Sequence, residues 1–277
     1  MHAAAGVREH PAQPLPRRDL TRVHPDWLRP EGLPPHVGAA MSTRQGGASS
    51  APWDGMNLGT AVGDDAAAVA RNRGAFAQAI GATPVYLKQV HGARVVHLGL
   101  QDAQAQAVPH EADASLASEP GIACTVLVAD CLPLLFAAPE GRAVAAVHAG
   151  WRGLALGVVE AALHALCEAA RCDAGDVRVW LGACIGPRRF EVGADVLQAF
   201  GADPARPDPL RFAPRAGGPS GKWLADLPLL ARDRLQAAGV RAVSGGAWCT
   251  VEEPSRFFSY RRDGPTGRMA AAIWIRR

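Results

Sequence analysis

The sequence predicts an α+β fold: one domain, with mixed β-sheets in the middle and helices packed outside. Three observations carry this. Strand-like apolar runs come in a group at 122–148 instead of strictly alternating with helices, which disfavours a simple doubly wound sheet. Helical periodicity is confined to a few separate segments. The chain of 277 residues is 48% hydrophobic, enough to bury a full core, and its 30 glycines and 22 prolines provide many turns.

The elements follow in order. Residues 1–23 are rich in proline and charge and read as an irregular arm, with Trp27 and Leu28 placed to pin its end to the body at 24–277. "HVGAAM" (36–41) is a first strand, followed by the long polar loop "STRQGGASSAPWDGMNLG" (42–59). Residues 64–81 form a helix. Asp64 or Asp65 can cap it, Val69, Phe76 and Ile80 share a face, and Gly81 stops it. "PVYLKQVHGARVVHL" (84–98) reads as two short strands joined at His91–Gly92, and 101–114 is a polar segment. Strands follow at about 122–128, 132–138 and 143–148, with Pro133 suggesting an edge or a bulge. Residues 154–170 are the strongest helix, with a stripe of Leu156, Val159, Leu163, Leu166 and Cys167. A strand at 177–187 ends in a Gly-Pro turn. Helical segments are expected at 191–200 and 224–238, the second capped by Asp226 with Pro228 near its start. Residues 207–222 read as a loop, 240–250 and 269–275 as late strands, and 257–268 as a hairpin-like stretch.

Composition narrows the function. A net charge of +3 and the absence of a long basic tract argue against nucleic acid as a partner. No run reaches the roughly 18 apolar residues of a membrane helix, and residues 1–20 lack the apolar stretch of a secretory signal. Six cysteines without regular spacing suit a reducing, cytoplasmic setting in which they serve as thiols or metal ligands.

His91, Cys131 and His148 sit at ends or corners of apolar strands. Zinc accepts imidazole and thiolate together, and three protein ligands leave a fourth position open for chemistry. Their separations of 40 and 17 residues match no short metal motif, so His97, His110, His164 and the other cysteines compete for the role. Asp130, on extended backbone, would point away from Cys131 and serve a turn or an arginine. After His148, the turn "GWRG" leads into a helix whose first amides and Arg152 can receive an anion. Arg44 lies in a glycine-flanked loop that can bring a guanidinium over a pocket. Cys184 reads as a buried strand cysteine, with a nucleophile as the rival reading.

The ordered set "PDWL", "STRQGGAS", "MNLG", "LKQVHGARV", "EADA", "VADCLPLLF", "AVHAGWRG", "ACIGP", "FEVG" and "FFSYRRDGPTGR" resembles one family across about 24–277. Its members are known as multicopper polyphenol oxidase, laccase-domain or purine nucleoside phosphorylase proteins, and also as peptidoglycan editing factors. The resemblance implies that His91, Cys131 and His148 bind a metal, Zn2+ or alternatively Cu2+. It implies purine nucleosides and phosphate as partners: phosphorolysis of adenosine, inosine, guanosine and S-methyl-5′-thioadenosine, together with adenosine deamination. Deamination would need a carboxylate to carry protons. Glu111 is the first choice and Asp113 the second. In phosphorolysis, Arg44 and Arg152 would hold the phosphate.

Two other activities compete. A peptidoglycan-precursor hydrolase would use Cys131 as nucleophile and His148 as base. A copper-dependent polyphenol oxidase would need an electron-collecting copper and a trinuclear cluster. The chain has nine histidines and no H-x-H pair for such a cluster.

Overall fold

The computed structural model describes residues 24–104, 108–215 and 221–276. The arm expected at 1–23 lies outside the described residues.

The architecture is the expected α+β domain, with mixed sheets flanked by helices. The first sheet has four strands in the order β1 (Val37–Met41), β13 (Met269–Ile275), β5 (Ile122–Val128) and β2 (Thr83–Tyr86). The second has six, in the order β12 (Ala242–Gly245), β8 (Arg178–Leu181), β6 (Leu132–Ala137), β7 (Val144–Ala149), β4 (Ala114–Ala117) and β3 (Val95–His97). A small third sheet joins β10 (Phe212–Pro214), β11 (Trp223–Ala225) and β9 (Glu191–Val192).

The period of two along each strand separates the layers. Along β5, Cys124 and Val126 join the core between the two large sheets, whereas Ala123 faces a separate cluster with Phe76 and Ile80 of α1 (Ala66–Ile80). Along β6, Leu135 and Ala137 enter the inter-sheet core. Leu132, Leu134 and Phe136 face α3 (Val158–Ala170) and α5 (Leu227–Ala237). Both faces of the central strands are therefore covered, which explains why their sequences are apolar throughout.

Local signals behave as the sequence suggests at several places. Asp65 caps α1 by accepting from the Ala67 and Ala68 amides, and Gly81 closes the helix at φ 65°. Asp226 caps α5, with Pro228 in its first turn. Trp27 stacks on Phe76 at 5.1 Å between centroids, and Leu28 exchanges two backbone hydrogen bonds with Met41.

Other expectations are corrected. The helix predicted at 154–170 is two helices, α2 (Trp151–Ala155) and α3, separated by Gly157 at φ 89°. The break turns Leu156 outward, so it is exposed and takes no part in the apolar stripe. The two strands predicted within 84–98 are present as β2 and β3, but they belong to different large sheets, and the segment between them carries His91. β4, β10 and β11 lie in segments read as polar, loop or helix. Their pairing depends on distant strands and leaves little local pattern. Residues 191–200 contain β9 as well as the short helix α4 (Ala194–Ala199), and 257–268 contains the one-turn helix α6 (Tyr260–Asp263) in place of a hairpin. Pro133 sits in an interior strand. Its carbonyl accepts from Gly182 on the β8 side, so its nitrogen faces that side too, beyond the last β6–β8 pair, Leu134–Leu181. The strand keeps the Gly182-to-Pro133 bond and forgoes only the reciprocal one, at the end of that pairing.

Candidate metal centre and its cavity

Three separate chain reversals converge at one end of the sheets. His91 lies on the link from β2 to β3, Cys131 on the turn from β5 to β6, and His148 near the end of β7, directly opposite Pro133. The possible ligand atoms of these three residues lie within 4.8 Å of one another. Cys131 Sγ is 3.7 Å from His91 Nε2, and the two imidazole rings stand edge to face at 4.8 Å between centroids.

Asp113 holds this arrangement. It is completely buried at the start of β4. One carboxylate oxygen accepts from His148 Nδ1 at 2.8 Å and from the His91 amide at 2.9 Å. The other accepts from the amides of Val90 (3.1 Å) and Gly92 (2.7 Å). The Asp113 carbonyl also receives the His148 amide at 2.7 Å. A single buried side chain thus orients one imidazole and shapes the loop carrying the other. Using Nδ1 in this way leaves His148 Nε2 for a metal. Backbone strain is concentrated at the same place: His91 has φ 62° and Asp130 has φ 102°. Asp130 is a corner residue and not, as the sequence suggests, part of an extended run. Its carboxylate accepts from Thr250 Oγ1 (2.6 Å) and from the Arg261 amide (2.7 Å).

The surroundings set the charge of the trio. Burial alone would push the Cys131 thiol up, but His148 beside it and hydrogen bonds from both imidazoles bring it down to about 6. Burial would lower His148, but the Cys131 thiolate and the Asp113 carboxylate raise it to about 9. Burial also works against the Asp113 carboxylate, yet hydrogen bonds from His148 and the loop amides keep it below its usual range. The donor set of two imidazoles and one thiolate suits a zinc-class or copper ion, and this spacing suits one such ion. Gly150 leaves room for it: a Cβ there would stand 2.8 Å from His91 Cδ2 and 3.0 Å from Cys131 Sγ.

The trio opens into a cavity of about 890 Å3. Its apolar wall includes Ile185, Phe190 and Leu227, and Arg73, Arg152 and Arg268 bring positive charge to it. Arg152 belongs to α2, a helix of five residues too short for a substantial dipole, so the side chain itself must supply the charge.

Several candidates named from sequence lie elsewhere. Arg44 is taken up by Asp54 (3.2 Å) and the Pro254 carbonyl (3.1 Å), over the Phe258 ring, and does not line the cavity. Its loop folds inward on itself, which fixes the guanidinium away from the trio. Glu111 forms an exposed pair with Lys88 at 3.0 Å, and Asp113 is the carboxylate that reaches the trio. His97 meets Ser118, His110 meets Asp102, and His164 lies on an exposed helix face beside Glu168. Cys184 is buried, and burial pushes its thiol well up, away from the thiolate form a nucleophile uses. Sequence reasoning missed Arg73 and Arg268. Arg268 ends the "GPTGR" motif, which marks the spot but not the role.

The family described as multi-copper polyphenol oxidoreductase laccase matches residues 38–276. The chain belongs to this family. Among curated relatives of this laccase-domain chain, purine nucleoside phosphorylase PA4543 of Pseudomonas aeruginosa is 46% identical over 250 residues, covering 90% of this chain and 98% of the relative. Purine nucleoside phosphorylase YfiH of Escherichia coli is 43% identical, covering 91% and 98%. The crystal structure of Neisseria meningitidis protein NMB0706 matches with a TM-score of 0.82 at 42% identity, covering 91% of this chain and all of that one. That of YlmD from Geobacillus stearothermophilus gives 0.81 at 34%, covering 91% and 96%. The three-donor cluster, together with the similarity of this laccase-domain chain to enzymes, supports enzymatic activity at a metal-binding site. Among the described residues, no helix is long and apolar enough to cross a membrane.

Proposed function

We propose that the protein is a zinc-dependent purine nucleoside phosphorylase of the cytoplasm. On this reading the 24–277 domain acts on adenosine, inosine, guanosine and S-methyl-5′-thioadenosine, with adenosine deamination as a second activity. The observation that carries the reading is the cavity: a His/Cys/His trio and several arginines share one wall system, in a chain whose close relatives bear the phosphorylase name. His91, Cys131 and His148 would hold the ion, which when bound supplies Lewis-acid polarisation of an oxygen in the pocket.

The chain's own residues do the rest. Asp113 fixes the His148 ring and the loop bearing His91. The apolar wall of Ile185, Phe190 and Leu227 receives the purine and limits water. Arg152 steers the phosphate dianion toward the cavity. In phosphorolysis a phosphate oxygen bonds to C1′ as the bond from C1′ to the purine breaks, and the purine leaves with a proton.

A second reading has its own support. Cys131, His148 and Asp113 follow the order of a thiol–imidazole–carboxylate triad, which suits hydrolysis of a peptidoglycan precursor through Cys131. Copper-dependent polyphenol oxidation, which the family's description names, would use more copper sites than the one three-donor group found among the described residues.

One experiment separates these. Zinc-loaded and chelator-stripped protein is incubated with adenosine, with and without phosphate. Free adenine with ribose 1-phosphate, lost on stripping, supports phosphorolysis. Inosine with ammonia supports deamination. Hydrolase activity on peptidoglycan precursors that survives stripping supports the thiol route, and oxygen uptake with phenols after copper loading supports the oxidase.

A further inference from the structure

We propose that Arg73, Arg268 and the Tyr86 hydroxyl form an oxyanion subsite of the cavity, built for a phosphate group. The proposal deepens the phosphorylase reading and rests on it for the identity of the anion.

Three observations converge. The first is charge with no carboxylate in contact. Arg73 and Arg268 are both half-buried and both line the cavity, and among the described residues neither pairs with a carboxylate. Arg44, Arg188, Arg234 and Arg241 each have an acidic partner. Arg268 Nη1 donates only to the carbonyls of Thr266 (2.9 Å) and Gly267 (3.0 Å), and Arg73 Nε to that of Leu58 (2.9 Å). Asp130 and the Cys131 thiol act on Arg268 only from beyond ion-pair distance. Half-buried charges without a counter-ion in contact are costly, and a bound anion lowers that cost.

The second is mutual placement. The segment 57–59 ties the two arginines together. The Leu58 carbonyl receives Arg73, the Leu58 amide donates to the Arg268 carbonyl at 3.1 Å, and Asn57 Oδ1 accepts the Arg268 amide at 2.9 Å. Gly59 supplies the gap for the side chain, since a Cβ there would stand 2.8 Å from Arg268 Cγ.

The third is an orphaned donor. Tyr86 lines the same cavity beneath Arg73, whose guanidinium carbon lies 3.8 Å from the ring centroid. The Tyr86 hydroxyl is buried and, among the described residues, has no hydrogen-bond partner. Such a group calls for a ligand. Two cationic forks and a neutral phenol match a dianion with several acceptor oxygens better than a carboxylate.

The test is calorimetric titration of the full-length, zinc-loaded chain with inorganic phosphate and, separately, with adenosine 5′-monophosphate. The variants are Arg73→Met, Arg268→Met, their lysine counterparts and Tyr86→Phe, with Arg241→Met as a surface control. Each methionine variant is expected to weaken binding roughly tenfold, with partial recovery in the lysine variants, because a charge-assisted fork is lost and then partly restored. Loss in the phosphate arm supports a site for free phosphate. Loss confined to the nucleotide arm supports a site for a ligand's own phosphoryl group. Unchanged affinity for both probes in folded variants overturns the subsite. If affinity for both probes is unchanged and phosphorolysis proceeds with an unaltered KM for phosphate in these variants, the subsite fails while the phosphorylase reading stands. If phosphate binds and the variants lose it but no nucleoside is cleaved, the subsite stands and the phosphorylase reading fails.

Discussion

Asp113 Oδ1 lies 2.8 Å from His148 Nδ1, and both side chains are buried. The same carboxylate receives three successive loop amides, from Val90 to Gly92. Asp113 is therefore a positioning residue for two of the three candidate ligands.

Asp113→Asn keeps the volume but removes the charge and disturbs the amide contacts. Metal affinity is expected to fall about 10- to 100-fold, as when the partner of a ligating histidine is lost. Competition against a chromophoric chelator measures this. Asp113→Ala is expected to cost about 3–5 kcal/mol as well, because it strips the partner from a buried charged imidazole. Denaturant unfolding checks that figure, and wild-type stability in the alanine variant would contradict the role.

In metal-free protein the Cys131 thiol is held down to about 6. A lowered thiol forms thiolate above that value and regains its proton below it. Alkylation of Cys131 by iodoacetamide is expected to rise between about pH 5 and 7 and then level off, whereas an ordinary thiol turns near pH 8.5. Adding zinc is expected to suppress the reaction. Peptide mass spectrometry of the pH series gives the midpoint.

Gly150→Ala places a methyl group against His91 Cδ2 and Cys131 Sγ. The backbone there, at φ −68°, accepts alanine without strain. The substitution is thus expected to lower metal affinity at least tenfold while leaving the circular dichroism of the fold intact. Equal affinity in wild type and variant would show that the trio has more room than its geometry indicates.

Glu111→Gln removes one partner of an exposed ion pair with Lys88. Such pairs contribute little, so stability should change by less than about 1 kcal/mol. Adenosine deamination, if present, is expected to stay within about twofold of wild type. A large loss in the deamination assay would restore Glu111 to the reaction.

Arg44 and Arg152 are expected to separate. Arg44→Met breaks the contacts with Asp54 and Pro254 and should lower the melting temperature without raising the KM for phosphate. Arg152→Ala should raise that KM several-fold with little effect on melting, because Arg152 is exposed at the cavity and, among the described residues, its side chain is seen only stacking on Trp151. Thermal melts paired with phosphate titrations decide both.

The central strands and the capped helices were legible because their causes are local. Apolar runs declare burial, Asp65 and Gly81 bound α1, and Asp226 with Pro228 starts α5. β4, β10 and β11 escaped because short strands take their identity from partners far along the chain. The break at Gly157 escaped because an apolar stripe can be traced across a glycine without revealing its left-handed backbone.

By itself, the sequence determined the α+β class, the main strands, and residue types at 91, 131 and 148 able to bind a metal. Tertiary structure decided which of the competing histidines and cysteines converge, since sequence separations of 40 and 17 residues fix no distance. It also decided what each charged side chain does. Asp113 went to the trio, Glu111 and Arg44 to pairs away from it, and Arg73 and Arg268 to the cavity. The physical reason is that a charge takes its role from the partners and burial that folding provides, and these are set by chain packing at long range.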